Sequence, residues 1–169
     1  MRQISQTSLL PCTTNAFWTL LLDPAYARAL FLDGLGFRGF EVLESGTTSR
    51  KLRIVPAMNL PSVLAKIVGD AFAYEEHGVL DRARGVWTWE MIRPLRSPLP
   101  EIVATRCTMR VEPAGDGQCK RTEEIVIEGK LFGLGRVIEA AAEKETRAAW
   151  AKELPFLTRW LAEHREGDP

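Results

Sequence analysis

Two hydrophobic periods run along this chain, and they change over near Phe37 and Lys130. Between Phe37 and Gly129, apolar positions come in short runs divided by turn chemistry: Phe37–Leu43, Arg50–Val55, Phe72–Val79, Val86–Arg93, Ile102–Val111 and Cys119–Glu128. Glu44-Ser45-Gly46, Asp81 to Gly85, Ser97-Pro98-Leu99-Pro100 and Pro113-Ala114-Gly115-Asp116-Gly117 punctuate them, so the spacing predicts an antiparallel meander. Before it, Gln3–Leu9 reads as an opening strand that Pro11-Cys12-Thr13-Thr14 breaks. Thr13 or Thr14 can cap a helix carrying Ala16, Phe17, Leu20 and Leu21 on one side. Asp23-Pro24 ends it and starts a second helix, Ala25–Leu32, which Gly34 and Gly36 stop. One segment inside the meander has the helical period instead. Met58–Gly69 places Leu60, Val63, Leu64 and Ile67 at helical spacing where a tight turn would have sufficed. It reads either as a lid or as a helix packed outside the sheet, and at the mouth of a cavity it could also touch a membrane surface.

After the meander the chain reads as one long C-terminal helix, Leu131 to about Glu163, that closes over the sheet. Leu134, Val137, Ile138, Ala141, Ala142, Ala148 and Ala149 share a stripe, with Arg136, Glu139, Glu143 and Arg147 opposite. The stripe is apolar but thin. Alanine where a packed helix carries Leu or Ile means either very close packing or space beneath the helix. Glu145 falls inside the stripe, where an unpaired carboxylate is costly. The pattern therefore describes a container with a polar group under its lid. Pro155 should kink or break this helix, letting Phe156, Leu157, Trp160 and Leu161 turn back onto the first helices or the sheet rim.

Composition narrows the class. At 169 residues the chain makes about one domain, read as residues 1–163 with a polar tail over 164–169. Its 46% apolar and 26% charged residues are those of a soluble globular protein. Lys plus Arg equals Asp plus Glu, so bulk charge steers it to no nucleic acid. Met1–Leu10 lacks a signal-peptide pattern, and no apolar run approaches the ~20 residues of a membrane helix, which makes a cytoplasmic location the expectation. Cys12, Cys107 and Cys119 are odd in number and lack metal-ligand spacing, so they read as free thiols. His77 and His164 are the sole histidines, and no Ser-His-Asp order, phosphate loop or His-Glu metal cluster accompanies them. No catalytic residue, metal or cofactor is predicted, although acid–base work by Glu123 and Glu145 stays open.

The order strand, two helices, six strands, long helix resembles the START-like, or helix-grip, superfamily of ligand-binding domains over Gln3–Leu161. Thr14-Asn15-Ala16-Phe17-Trp18, Asp23-Pro24-Ala25-Tyr26 and Arg159-Trp160-Leu161 look like that superfamily. The stretch from Leu60-Pro61-Ser62-Val63-Leu64 to Gly69, followed by Tyr74-Glu75-Glu76 and Asp81, looks like the centre of PRELI-type lipid-transfer domains. Those domains usually carry an Asn where this chain reads Trp87-Thr88-Trp89, so their phospholipid specificity is not carried over. The run from Ile127-Glu128-Gly129-Lys130 to Ile138-Glu139 is similar to the strand-to-helix junction of an uncharacterised bacterial START-like family.

The resemblance implies an α+β fold in which a curved antiparallel sheet of about seven strands wraps the C-terminal helix, with a ligand between them. Trp87, Trp89 and Met91 would then offer two rigid walls and one adaptable contact, with Cys107 and Met109 in a neighbouring row. Glu123 would share a face with Ile125 and Ile127, and with Glu145 would form the polar end of a cavity roofed by Ala141 and Ala148. Leu60, Val63, Leu64 and Ile67 would form the lid. Three functions remain open on these residues: binding or transfer of a hydrophobic or amphipathic molecule such as a lipid; a cyclase- or hydrolase-type enzyme acting on a hydrophobic or aromatic substrate; and a protein-interaction module with a filled core.

Overall fold

Strand β1 (Arg2–Leu10) is followed by helix α1 (Thr14–Leu22), which starts where Thr13 Oγ1 accepts the Ala16 amide at 3.2 Å. Asp23 repeats the device for α2 (Pro24–Ala29), its Oδ1 accepting the Ala25 amide at 2.9 Å ahead of a proline in the first turn. The second helix then widens into a π-helical turn, Leu30–Gly34, closed by Leu35 N–H donating to the Leu30 carbonyl at 2.8 Å. The computed structural model describes residues 1–69, 72–97 and 99–164, so most of the expected polar tail lies outside the described residues.

The remaining strands are β2 (Gly39–Ser45), β3 (Ser49–Val55), β4 (Tyr74–Asp81), β5 (Val86–Ile92), β6 (Val103–Gly115) and β7 (Gln118–Gly129). They form one antiparallel sheet in the order β1-β7-β6-β5-β4-β3-β2. The expected architecture is therefore the observed one. Boundaries shift by up to a few residues, most of all at Pro113-Ala114-Gly115: expected as a turn, it continues β6 through a register shift, and the chain reverses at Asp116-Gly117. Two-residue alternation carries each strand's buried side. On β7, Cys119, Arg121, Glu123, Ile125 and Ile127 are all buried while residues between them are half-buried or exposed. Register then lines up Leu80, Trp87, Met109 and Glu123 across β4 to β7, and Gly78, Trp89, Cys107 and Ile125 beside them.

Between β3 and β4 lies α3 (Ser62–Val68). It packs Leu64, with Leu60 beside it, against Ile138 and Ala141. Helix α4 (Gly135–Glu163) then crosses β7, β1 and the π-helical turn. It begins four residues later than the pattern suggests, because Leu131–Leu134 turn around Gly133 before it. Gly129 and Gly135 cross so closely that a Cβ on Gly129 would lie 2.3 Å from the Gly135 carbonyl oxygen.

Two expectations about α4 are corrected. Pro155 does not break it: the helix runs on to Glu163. Phe156 and Trp160 still meet the first helices, as expected, but along this continuous helix, with Tyr26 against the Trp160 ring at 5.5 Å and Leu157 fully buried. The inner stripe also differs from the expected one at two positions. The cavity-facing side runs through Ile138, Ala141, Ala142, Glu145, Ala149, Glu153 and Leu157, a three- and four-residue series that leaves Val137 and Ala148 exposed. Glu139, expected on the outer face, is buried and accepts the Gly129 amide at 3.2 Å.

Candidate functional site

Beneath α4 the sheet leaves a cavity of about 260 Å³. Its walls are largely apolar: Trp87, Trp89 and Met91 from β5, Met109 from β6, Ile125 from β7, Phe17, Tyr26 and Phe31 from the leading helices, and Ala141, Ala142 and Ala149 from α4. Leu60, Leu64, Ile67 and Val68 close the side nearest α3. The Ala positions leave space that larger side chains would fill, while Trp150, Phe156 and Leu157 further along α4 are buried in the core.

Trp87 is fully buried, and its position depends on a missing side chain. A Cβ on Gly78 would lie 1.9 Å from the indole, so glycine opens the slot in which the ring lies over β4. Arg50 is paired with Gly78 across β3 and β4, and its guanidinium lies 5.3 Å from the Trp87 ring centre.

Polar groups gather at one end. Arg50 and Glu76 form a buried ion pair, Nη2 to Oε1 at 2.7 Å and Nε to the same oxygen at 3.1 Å, and Arg50 also donates to the Leu21 carbonyl. Arg121 donates to both oxygens of Glu153, at 2.6 and 3.2 Å. Both guanidinium groups are therefore committed. Glu123 is 5% exposed, and its Oε2 stands 3.4 Å from Arg121 Nη2 without making a hydrogen bond. Burial, then the Glu153 carboxylate, push its pKa up to about 8; Arg121 opposes this and Glu76 adds to it. Burial and the Glu153 charge also push the Tyr26 phenol upward. Tyr26 Oη and Trp87 Nε1, both on the cavity wall, are likewise buried without a partner.

The structure distributes the expected site residues unevenly. Trp87, Trp89, Met91, Met109, Glu123, Ile125, Ala141 and Glu145 line the cavity, as do Leu60, Leu64 and Ile67. Cys107 and Ile127 are on the same sheet face but are packed into the core and not on the wall. Ala148 faces solvent, for the helical-phase reason given above, and Val63 is 43% exposed on the outer side of α3. Glu145 is half-buried and unpaired among the described residues; the helix carboxylate that reaches Arg121 is Glu153, two turns later. Sequence reasoning passed over Arg50, Glu76, Glu153 and Tyr26. Two-residue alternation would have found Arg50 with Leu52 and Ile54, and Glu76 with Tyr74 and Leu80.

Among the described residues no group of His, Cys, Asp and Glu could hold a metal ion, and the three cysteines are buried and free. Burial comes first in raising the Cys12 and Cys107 thiols. No helix among the described residues is long and apolar enough to cross a membrane.

Residues 5–161 match the family described as "Protein of unknown function (DUF2505)", and the chain belongs to that family. No curated protein matches its sequence. Solved structures share the fold. The di-domain ARO/CYC BexL from the BE-7585A biosynthetic pathway is 16% identical with a TM-score of 0.63; the match covers 94% of this chain, which spans 46% of that protein. Zhui aromatase/cyclase from Streptomyces sp. R1128 is 16% identical with a TM-score of 0.64 over 99% of both chains. Norcoclaurine synthase from Thalictrum flavum, in complex with dopamine and hydroxybenzaldehyde, is 19% identical with a TM-score of 0.67 over 98% of this chain and 89% of that one. These are START/Bet v1-like proteins, and at such identities they show the helix-grip fold alone.

Proposed function

From that family membership and the cavity beneath α4, we propose that the protein binds one small hydrophobic or amphipathic molecule and holds it out of water. The observation that carries this reading is an apolar cavity of about 260 Å³ with unsatisfied polar atoms at one end. Ligand sites typically start near ~300 Å³, so the room suits a single ring system or one short chain and not a diacyl phospholipid. That weighs against a PRELI-type cargo, whereas a smaller lipid remains within the reading. A chain whose core was complete in itself would have Leu or Phe where α4 carries Ala142 and Ala149. Transfer of cargo at a membrane surface would use the exposed Val63 and Ile67 of α3, together with Phe132.

Native mass spectrometry of the protein purified from cells, followed by titration with neutral polycyclic fluorophores, tests the proposal. It expects one saturable site and a co-purifying mass that denaturation releases. A bare mass together with no saturable binding would refute it.

A catalytic reading has one observation in its favour: Glu123 is a buried, proton-retaining carboxyl facing the cavity, the environment from which a general acid works. It would make the protein an enzyme on a hydrophobic or aromatic substrate. Glu123→Gln should then abolish turnover of a compound that still binds.

A further inference from the structure

The residues around the cavity hold more carboxyl groups than they can pair. Among the described residues, Glu76, Glu123, Glu145 and Glu153 line it against Arg50, with Arg121 buried behind the wall. Arg50 is taken by Glu76 and the Leu21 carbonyl, and Arg121 by two hydrogen bonds to Glu153, with Glu123 Oε2 3.4 Å from its Nη2 as an ion-pair partner that makes no hydrogen bond. Arg121 Nε lacks a partner, but that residue is 1% exposed and does not line the cavity. An entering carboxylate or phosphate would therefore meet uncommitted acids and no uncommitted cation. Glu123 Oε2 is the buried acceptor left over.

We propose that the ligand is an amine, a cationic nitrogen carried on an apolar and preferably aromatic body, with the nitrogen donating to Glu123 and the body lying between Trp87, Trp89 and Met91. This rests on the cavity-binding function proposed above and specifies its headgroup. The pairing answers both costs at once: it supplies the hydrogen bond that Glu123 Oε2 lacks and offsets the surplus of acid at that end. Aromatic faces suit the carbon skeleton beside such a cation. Tyr26 Oη and Trp87 Nε1 remain for a hydroxyl or carbonyl elsewhere on the molecule. Glu123 must ionise to hold the cation, so binding near neutral pH releases its proton to solvent.

A matched series separates the headgroup from the cavity: naphthylethylamine, naphthylethanol and naphthylacetate share one apolar body and differ in the polar end. Calorimetry at pH 7 should rank amine above alcohol above carboxylate, with the amine about tenfold tighter than the alcohol. Repeating the amine titration in two buffers of different ionisation heat should show proton release that the alcohol lacks, a readout needing no variant. Glu123→Gln should remove the amine's advantage over the alcohol. Equal binding of all three, or tightest binding of the carboxylate, would overturn the amine assignment and leave the cavity reading standing. Loss of amine preference in Glu145→Gln but not in Glu123→Gln would move the contact and refute the role of Glu123. Failure of all three, the neutral alcohol included, would remove the cavity reading and this inference with it.

Discussion

Glu123 ties the chemistry of the site to the stability of the fold. Its folded pKa of about 8 lies above the ordinary value of 4.5, so the folded chain keeps a proton that the unfolded chain has lost. Stability then falls as pH rises from 4.5 toward 8 and flattens beyond, by up to about 1.4 kcal/mol per pH unit. Urea unfolding across pH 5 to 8 should show that slope in the ligand-free wild type and lose it in Glu123→Gln. A second residue-scale prediction concerns Gly78, where any Cβ collides with the Trp87 indole at 1.9 Å. Gly78→Ala should cost at least the ~1–3 kcal/mol of an overpacked core and shift the tryptophan emission, as read by thermal melts and fluorescence. At this scale the sequence was partly readable. Alternation along β7 put Glu123 inward with Ile125, but it could not say that the neighbouring Arg121 would be claimed by Glu153, because that pairing depends on how α4 is rotated over the sheet.

Element boundaries and element interiors behave differently. Helix starts were legible to within a residue, at Thr13 or Thr14 and at Asp23-Pro24, and in the structure Thr13 and Asp23 each bring one side-chain oxygen to one amide. Helix phase was legible for Ile138, Ala141, Ala142, Glu145 and Ala149 but not for Val137 and Ala148, because a stripe of alanines gives a weak period, while the larger Trp150, Phe156 and Leu157 anchor the second half of α4. The same anchoring explains why Pro155 leaves the helix unbroken, since its exposed ring sits beside two buried neighbours that hold the turn. Pro155→Ala restores the missing amide facing the Ala151 carbonyl and removes nothing buried. It should raise stability by up to about 3 kcal/mol, seen as a higher melting temperature with ligand affinity unchanged. On α3, Leu64 is pinned against Ile138 and Ala141 while Val63 and Ile67 look partly outward. Val63→Asp combined with Phe132→Asp should leave the melting temperature within a degree or two and weaken co-sedimentation with lipid vesicles.

For the whole molecule, element order was the strongest signal, because one strand, two short helices, a meander and a long helix leave few ways to bury their apolar faces except a sheet wrapped on a helix. The hollow followed from one local clue, alanine where volume was expected. Its polar end, in contrast, is assembled by β3, β4, β7 and α4 together, and no single stretch of sequence carries it. The central claim is that this hollow is a binding site and not a packing defect. The most direct test fills it: saturation binding of the neutral fluorophore naphthylethanol to wild type and to Ala149→Leu, with thermal melts of both. The account predicts one site in the wild type that is lost in the variant, whose melting temperature is equal or higher. Undiminished binding in a folded Ala149→Leu protein, or no saturable site in the wild type, would contradict it.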